Sequence, residues 1–211
     1  MSHFVAVGWD KRLRIWQDDR ACEDENIKAS RDLPNRDLTT NTAQLAHGDD
    51  IMSAIYDIKN NLVFTGGHDG TLLAWHFETG FIKFYLHEMD PTCCSKNYIK
   101  EAKSVDTLAI MTKKRILLSG SADQMIRFWD LNDLSSGRQP IFKMMVNHME
   151  GDALTMIAVN EDCDRLVTAD TKGRLKLWDT SLPDYRKDSD PLSKMRVLWF
   201  IQAHKSLITS L

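Results

Sequence analysis

Short apolar runs separated by polar turns recur along this chain of 211 residues. From Arg115 to Asp130 the sequence reads R-I-L-L-S-G-S-A-D-Q-M-I-R-F-W-D. Residues 116–118 and 125–129 form two runs of aliphatic and aromatic side chains, and the polar residues between them are typical of a tight turn. The pattern predicts a β-hairpin whose second strand ends at a tryptophan.

The same template is found three more times, in segments that end at Trp16, Trp75 and Trp178. A buried indole N–H needs an acceptor, and a hydroxyl on the neighbouring strand supplies one. Three of the four segments have Ser or Thr ten residues before the tryptophan, and three have aspartate six residues before it. These residues are Thr65, Ser119 and Thr168, and Asp10, Asp69 and Asp123. A spacing repeated in this way predicts one structural unit used four times.

A histidine followed by an apolar run precedes the hairpins, and a further strand-like run follows each tryptophan. The histidines are His47, His148 and His204, with His87 as a weaker member because residues 88–104 separate it from its hairpin. The runs that follow the tryptophans cover residues 81–86, 141–146 and 196–201. Each unit is therefore predicted to be a sheet of four antiparallel strands.

A four-stranded sheet cannot bury both of its faces alone, so we expect these sheets to stack on one another. In the strand before three of the four tryptophans, Trp16, Trp129 and Trp178, apolar residues such as Leu13 and Ile15 alternate with basic ones. Radial stacking of such sheets predicts an all-β fold, a β-propeller. The predicted parts are an incomplete first blade, three blades and the first strand of another, at residues 1–46, 47–86, 87–146, 147–201 and 202–211.

In the first blade, residues 4–7 and 12–16 are predicted as middle strands, residues 18–41 as a polar insertion and residues 42–46 as the outer strand. Three complete and two incomplete blades do not close a ring, and an open propeller exposes apolar faces and strand edges. We therefore expect this chain to be part of a longer propeller or to be completed by a partner.

The series of histidine, hydroxyl, turn aspartate and terminal tryptophan resembles the WD repeat. The resemblance implies a buried network in each blade, in which tryptophan contacts the hydroxyl, the hydroxyl contacts histidine and histidine contacts aspartate. The implied sets are His47, Thr65, Asp69 and Trp75, then His87, Ser119, Asp123 and Trp129, and then His148, Thr168 and Trp178. The last set has Lys172 where aspartate is expected, so its network is either incomplete or uses Asp170.

Other chemistry is not indicated. The net charge of −3 offers no field that would attract nucleic acid or an anionic membrane. The cysteines, Cys22, Cys93, Cys94 and Cys163, form no C-x-x-C motif and are predicted to be reduced thiols. His3, His68 and His76 are interpreted as surface or turn residues. We predict no catalytic residue, metal site, cofactor or small-molecule substrate, and we expect the partners to be proteins.

The partner-binding candidates are the insertions at residues 18–41, 88–104 and 180–195, which are equally well explained as tolerated loop growth. The order of motifs from V-A-V-G-W-D-K-R-L-R-I-W to F-I-Q-A-H-K-S-L-I-T-S-L is similar to large ciliary and flagellar WD-repeat proteins, the group of WD repeat-containing protein forty-nine. This resemblance implies a non-catalytic structural component of the axoneme. Two alternatives are a cytosolic signalling or ubiquitin-ligase adaptor that reads a peptide on its top face, and an enzyme built on a propeller.

Overall fold

A computed structural model describes residues 3–11, 13–17, 31–33, 47–86, 104–136, 138, 140–148, 152–181 and 195–211. This part of the chain contains strands and one short 3-10 helix, Asn132–Ser136, but no α-helix. The strands form four antiparallel sheets, each a meander in chain order. The predicted all-β architecture of four-stranded units is confirmed for the last three sheets.

The four sheets are numbered in chain order. Sheet one has three strands, β1 (His3–Val7), β2 (Leu13–Gln17) and β3 (Arg31–Leu33). Sheet two contains β4 (Ile51–Asp57), β5 (Leu62–Gly67), β6 (Leu72–His76) and β7 (Ile82–Tyr85). Sheet three contains β8 (Val105–Met111), β9 (Ile116–Ser121), β10 (Met125–Asp130) and β11 (Ile141–Asn147). Sheet four contains β12 (Leu154–Val159), β13 (Arg165–Asp170), β14 (Arg174–Asp179) and β15 (Arg196–Gln202).

The sheets stack face to face, and each interface buries a tryptophan against the preceding sheet. The tryptophans and the apolar pairs that share their buried clusters are Trp75 with Leu13 and Ile15, Trp129 with Leu72 and Ala74, and Trp178 with Ile126 and Phe128. Each pair stands three and one residues before the tryptophan of its own sheet. The two faces of a sheet therefore differ. One contains the tryptophan, and the other packs against the tryptophan of the next sheet.

The inner strands of neighbouring sheets are joined by side-chain hydroxyls. The Ser53 hydroxyl donates a hydrogen bond to the Val105 carbonyl at 3.5 Å, and the Thr107 hydroxyl accepts one from the Ile157 amide at 3.2 Å. The Thr155 hydroxyl donates to the carbonyl of Ile208 at 2.9 Å. These hydroxyls lie at the inner edges of sheets two, three and four and connect each to the chain segment that follows.

The turn before the tryptophan strand has the same backbone conformation in all four sheets. Five residues before the tryptophan, the φ angles are 60° at Lys11, 80° at Gly70, 75° at Gln124 and 80° at Gly173. A positive φ is strained for residues with a Cβ, so glycine fits this position without cost and the other two side chains tolerate it. The shared conformation fixes the register that places the hydroxyl ten residues before the indole.

Sheet one differs from the sequence prediction. The strand that pairs with β2 is Arg31–Leu33, which lies within the stretch predicted as an insertion. In the backbone register Leu33 is the partner of Leu13. Residues 42–46, predicted as the outer strand, lie outside the described residues. The position beside β2 is taken by β3, and the prediction is corrected accordingly.

Two further features of the last sheet are informative. Leu175 and Leu177 are only half-buried, although the equivalent residues of the earlier sheets are buried. Residues 203–211 form no strand in the described structure, so the first strand of a further blade predicted within residues 202–211 is not formed there. The predicted limits of the three blades otherwise enclose sheets two, three and four to within one residue.

Candidate functional site

The centre of sheet two contains a buried chain of hydrogen bonds. The indole Nε1–H of Trp75 donates to the Thr65 hydroxyl at 2.7 Å. The same hydroxyl lies 2.8 Å from Nε2 of His47, and both His47 and Thr65 are fully buried. The structure thus brings together three of the residues singled out from the sequence. His47 comes from the segment before β4, Thr65 from β5 and Trp75 from β6.

The chain continues to Asp69 through a residue that the sequence analysis did not single out. The Thr71 hydroxyl lies 2.6 Å from Nδ1 of His47 and donates to Oδ1 of Asp69 at 2.6 Å. The direct distance from His47 to Asp69 is 3.9 Å. Because Thr71 gives its proton to the carboxylate, it accepts from Nδ1–H of His47. On its other side the ring contacts Thr65 through Nε2, so both ring nitrogens of His47 are engaged within the sheet.

Asp69 is the last member of the sheet-two network, and the pKa of its carboxyl is lowered. Burial by itself raises the pKa of this carboxyl, but contacts with His47, Thr71 and the Gly48 amide outweigh burial and hold the pKa far below its usual range. The Gly48 N–H donates to Oδ2 at 2.5 Å. A Cβ added at Gly67 would lie 2.6 Å from Nδ1 of His47 and would clash with the Asp69 carboxylate. Glycine at residue 67 is therefore needed for histidine and carboxylate to meet.

Sheet four has a related network with a different carboxylate. Nε1–H of Trp178 donates to the Thr168 hydroxyl at 3.0 Å, and this hydroxyl lies 2.8 Å from Nδ1 of His148. Nε2 of His148 lies 3.4 Å from Oδ2 of Asp170. Of the two alternatives left open by the sequence, the structure has Asp170 in the aspartate's place. Lys172, whose side chain is exposed, instead forms an ion pair with the buried carboxylate of Asp152 at 2.9 Å.

Cations surround the sheet-four network. Asp170 accepts from the Nε of Arg174 at 2.6 Å, and from the backbone amides of Lys172 and Arg174 at 3.0 Å. Lys176 lies 4.3 Å from the ring centre of Trp178 and donates to the carbonyl of His148 at 2.7 Å. Burial lowers the pKa of His148, and Lys176 and Arg174 lower it further, while Asp170 opposes this effect. The histidine is consequently held in its neutral form.

Sheets three and one share a third arrangement, in which the turn aspartate pairs with an arginine four residues later. In sheet three, Trp129 donates to Ser119 at 3.0 Å, and Arg127 contacts Asp123 at 2.6 Å. In sheet one, Arg14 contacts Asp10 at 2.5 Å.

His87 and the side chain of Trp16 lie outside the described residues. His204 is exposed, and its amide donates to the Gly173 carbonyl at 3.0 Å.

One buried ion pair joins sheets two and three. Both terminal nitrogens of Arg115 donate to the Asp57 carboxylate at 2.7 Å, and both side chains are buried. Burial alone raises the pKa of Asp57, but the hydrogen bonds from Arg115 and Asn60 lower it below its usual value. Sequence reasoning missed this pair because its members are far apart in the chain and meet only when the sheets stack.

The surface predicted to bind partners is only partly visible. The insertions at residues 18–41, 88–104 and 180–195 lie outside the described residues, apart from Arg31–Leu33 and the ends at 104, 180, 181 and 195. Among the residues that the structure does describe, no group of three or more His, Cys, Asp or Glu side chains is placed to hold a metal ion. The described part also has no helix long and apolar enough to cross a membrane.

Comparison with known proteins connects these networks to a repeat. The WD domain, G-beta repeat model matches residues 39–76 and 92–130. The first match contains His47, Thr65, Asp69 and Trp75, and the second contains Ser119, Asp123 and Trp129. With the stacked sheets, these matches confirm the fold class predicted from the sequence, a partial WD-repeat β-propeller.

Several relatives are similar to most of this chain. A CCR4-associated factor 4 homolog from Vanderwaltozyma polyspora is 28% identical over 72% of this chain and 23% of its own length. Human Striatin-4 is 24% identical over 84% of this chain and 24% of its own length. A ribosome biogenesis protein WDR12 homolog from Aedes aegypti is 28% identical over 67% of this chain and 29% of its own length. The chain therefore spans about a quarter of the length of the curated relatives it matches.

A solved structure supports the same fold. The crystal structure of the computationally designed Ika8 protein aligns with 97% of this chain and 48% of that chain, with a TM-score of 0.57 and 18% sequence identity. The likeness to the ciliary group stays a prediction.

Proposed function

Because this chain carries WD40 repeats, we propose that it is a non-catalytic scaffold for protein–protein interactions and a structural component of the ciliary or flagellar axoneme. WD-repeat proteins generally act as interaction scaffolds. The proposed partners are spoke, dynein or doublet-microtubule proteins. The axonemal setting is supported by the order of motifs along the sequence, which resembles the large ciliary WD-repeat proteins.

The observation that carries the scaffold proposal is that the polar side chains of the repeat are paired with one another inside the sheets. His47 and His148 are fully buried, and each contacts the hydroxyl that accepts its sheet's indole proton. Groups that are engaged in this way hold strands in register, because a buried polar group without its partner is costly. The side chains and loops on the outside of the stack are then the part that meets other molecules.

Fractionation of ciliated cells that express the whole protein tests the proposal. We expect the protein to stay with demembranated axonemes at moderate salt and to be released as salt rises, since partner contacts on a charged surface are screened. Recovery in the soluble cytosol alone would contradict the axonemal assignment and would favour the signalling or ubiquitin-ligase adaptor.

Loop replacement identifies the binding surface. Residues 88–103 and 182–194 are replaced, one stretch at a time, by glycine–serine linkers of equal length. We expect at least one replacement to release the protein from axonemes while its melting temperature stays the same. The control is Lys113→Ala, an exposed substitution outside these stretches. Retention of both replaced proteins at the level of the control would show that these insertions are only loop growth.

A further inference from the structure

The ion pair between sheets two and three is buried and costly to keep. Both terminal nitrogens of Arg115 contact the Asp57 carboxylate at 2.7 Å, and the two side chains are 9% and 2% exposed. Within the described part of the chain, no acceptor contacts the buried Nε of Arg115. Its φ angle of 59° is unfavourable for a residue with a Cβ. Because apolar residues often stabilise a fold as well as a buried ion pair does, stability alone does not explain this pair.

The interface between sheets three and four has apolar side chains at the corresponding place. Met111 ends β8 as Asp57 ends β4, and each pairs with the first residue of the following strand. Met111 is fully buried and belongs to the same apolar cluster as Cys163, which comes from the turn between β12 and β13. Two neighbouring interfaces of one kind are therefore built differently at this point, one with charges and one without.

The two positions of the ion pair hold residues of different charge in each sheet. The residue just before the second strand is Asn61 in sheet two, Arg115 in sheet three and Asp164 in sheet four, counted from the residue that pairs next to the tryptophan. The residue across the same turn is Asp57, Met111 or Asn160. Of these three sheets, only sheet two followed by sheet three brings opposite charges together.

The sheets are otherwise similar enough to exchange neighbours. Each has the same template and buries its tryptophan in the same way, and repeat proteins misassemble when the wrong units pair. If sheet four or a second copy of sheet two took the place of sheet three, Asp57 would meet the turn that contains Asp164 or Asn61. A buried charge without its partner disfavours such a stack about a hundredfold or more.

We propose that the pair of Asp57 and Arg115 selects the neighbour of sheet two. It makes sheet three the one sheet, among the three with four strands, that completes this interface, and it does so at the expense of stability. The unpartnered Nε and the left-handed backbone of Arg115 are consistent with a contact retained for selectivity. This role concerns assembly of the fold and does not depend on which partners the protein binds.

Replacement by residues that the chain already uses at equivalent positions tests the proposal. Asp57→Met with Arg115→Asn copies Met111 and Asn61, and Asn61 has a similar φ of 54°. We expect a urea midpoint within about 10% of the wild type or above it. After refolding from urea at about 10 μM, the excess of oligomers over a never-unfolded sample should be at least about threefold larger than for the wild type.

The matched control neutralises an exposed ion pair that also joins two sheets, Lys113→Met with Asp162→Asn. It should change neither the midpoint nor the oligomer fraction, because exposed pairs contribute little. Sedimentation measures the oligomers. A midpoint reduced by a third or more would make the buried pair a stabilising contact, and an unchanged oligomer fraction would show that it selects nothing. Either result would overturn the proposal.

Charge reversal in two separate chains tests the selection directly. Asp57→Arg in one chain and Arg115→Asp in another each place like charges at the interface of sheets two and three. When the two chains are refolded together, exchange of sheets between them restores opposite charges at both interfaces. We expect heterodimers in at least about fivefold excess over either homodimer by native mass spectrometry. A statistical mixture, or no soluble heterodimer, would contradict selection by this pair.

Discussion

Oδ2 of Asp170 lies 3.4 Å from Nε2 of His148, a contact that replaces the approach of Asp69 to His47 in sheet two. Asp69 stands six residues before its tryptophan and lies in the turn, whereas Asp170 stands eight residues before its own and ends the strand. In sheet two the position of Asp170 is held by Gly67, where a side chain would clash with Asp69. Each of these two sheets thus has one carboxylate at the histidine, supplied from one of two positions.

Removal of the Asp170 carboxylate should destabilise sheet four. Asp170→Ala leaves Nε of Arg174 and two backbone amides without their acceptor, although the guanidinium keeps its contact with Asp152, and we expect it to lower the free energy of unfolding by about 3 kcal/mol. Urea denaturation measures the change. Lys113→Ala is the control, because both side chains of its ion pair with Asp162 are exposed, and it should change stability by less than about 0.5 kcal/mol.

Moving the carboxylate of sheet four from residue 170 to residue 172 tests more directly whether the two positions are equivalent. The double substitution Asp170→Gly with Lys172→Asp gives sheet four the glycine and the turn carboxylate of sheet two, with Arg174 where sheet two has Thr71. We expect it to recover about half of the stability lost in Asp170→Ala, since the new carboxylate comes from the turn and the glycine makes room for it. A double variant no more stable than Asp170→Ala would show that the two positions are not interchangeable.

The stability of the chain should fall as the pH drops below about 6.5, the ordinary pKa of histidine. Burial lowers the pKa of His148 in the folded protein, so between the folded and unfolded values the unfolded chain binds more protons. The stability contributed by neutral His148 is therefore present above pH 6.5 and is lost as the pH falls through the folded pKa.

Denaturation from pH 8 to pH 5 measures this dependence. The variant His148→Gln does not titrate, and we expect its stability to change less steeply between pH 6.5 and pH 5 than that of the wild type. His204→Gln, at an exposed position, serves as the control. An unchanged slope in His148→Gln would show that other groups carry the pH dependence.

The ion pair between Asp57 and Arg115 should be a strong link between sheets two and three. Arg115→Met leaves a buried carboxylate unpaired, and we expect a loss of about 3–5 kcal/mol in the free energy of unfolding. The double variant Asp57→Asn with Arg115→Met removes both charges and should lose less than Arg115→Met alone. A double-mutant cycle by urea denaturation measures the coupling, and a coupling energy near zero would contradict the buried pair.

The requirement for glycine at residue 67 is also testable. Gly67→Ala places a methyl group against His47 and Asp69 and should lower the free energy of unfolding by about 1–3 kcal/mol. Gly8→Ala is the matched control, because the nearest atom to its added Cβ is Asp10 Oδ1 at 3.9 Å. Thermal unfolding of both variants measures the difference. Equal melting temperatures would show that the histidine site adapts to a side chain.

The architecture was predictable from local spacing because each sheet repeats one pattern over a short stretch of chain. The hydroxyls Thr65, Ser119 and Thr168 meet their indoles across one hairpin, so the ten-residue interval determines the contact. For sheet four the sequence left two alternatives, an incomplete network or one that uses Asp170, and the reason is physical. Position 172 is a lysine, and only the backbone turn decides whether Asp170 reaches the histidine.

Other contacts depend on how the sheets stack, and the sequence does not encode that arrangement locally. Arg115 and Asp57 are 58 residues apart and lie in different sheets. Thr71 was missed although a signal exists, since it stands two residues after Asp69 in the same turn and carries a hydroxyl. The strand Arg31–Leu33 was missed because three residues are too few to show an alternating pattern.

The hydroxyls of Ser53, Thr107 and Thr155 determine how the stack responds to mechanical tension. Within a sheet, neighbouring strands share a ladder of backbone hydrogen bonds. At the inner edges, these three side chains connect each sheet to the chain segment that follows it. We therefore expect a pulling force along the stack to act first on the contacts between sheets, where no backbone ladder resists it. Because a four-stranded sheet cannot bury both of its faces alone, a sheet that parts from its neighbour exposes its apolar face to water.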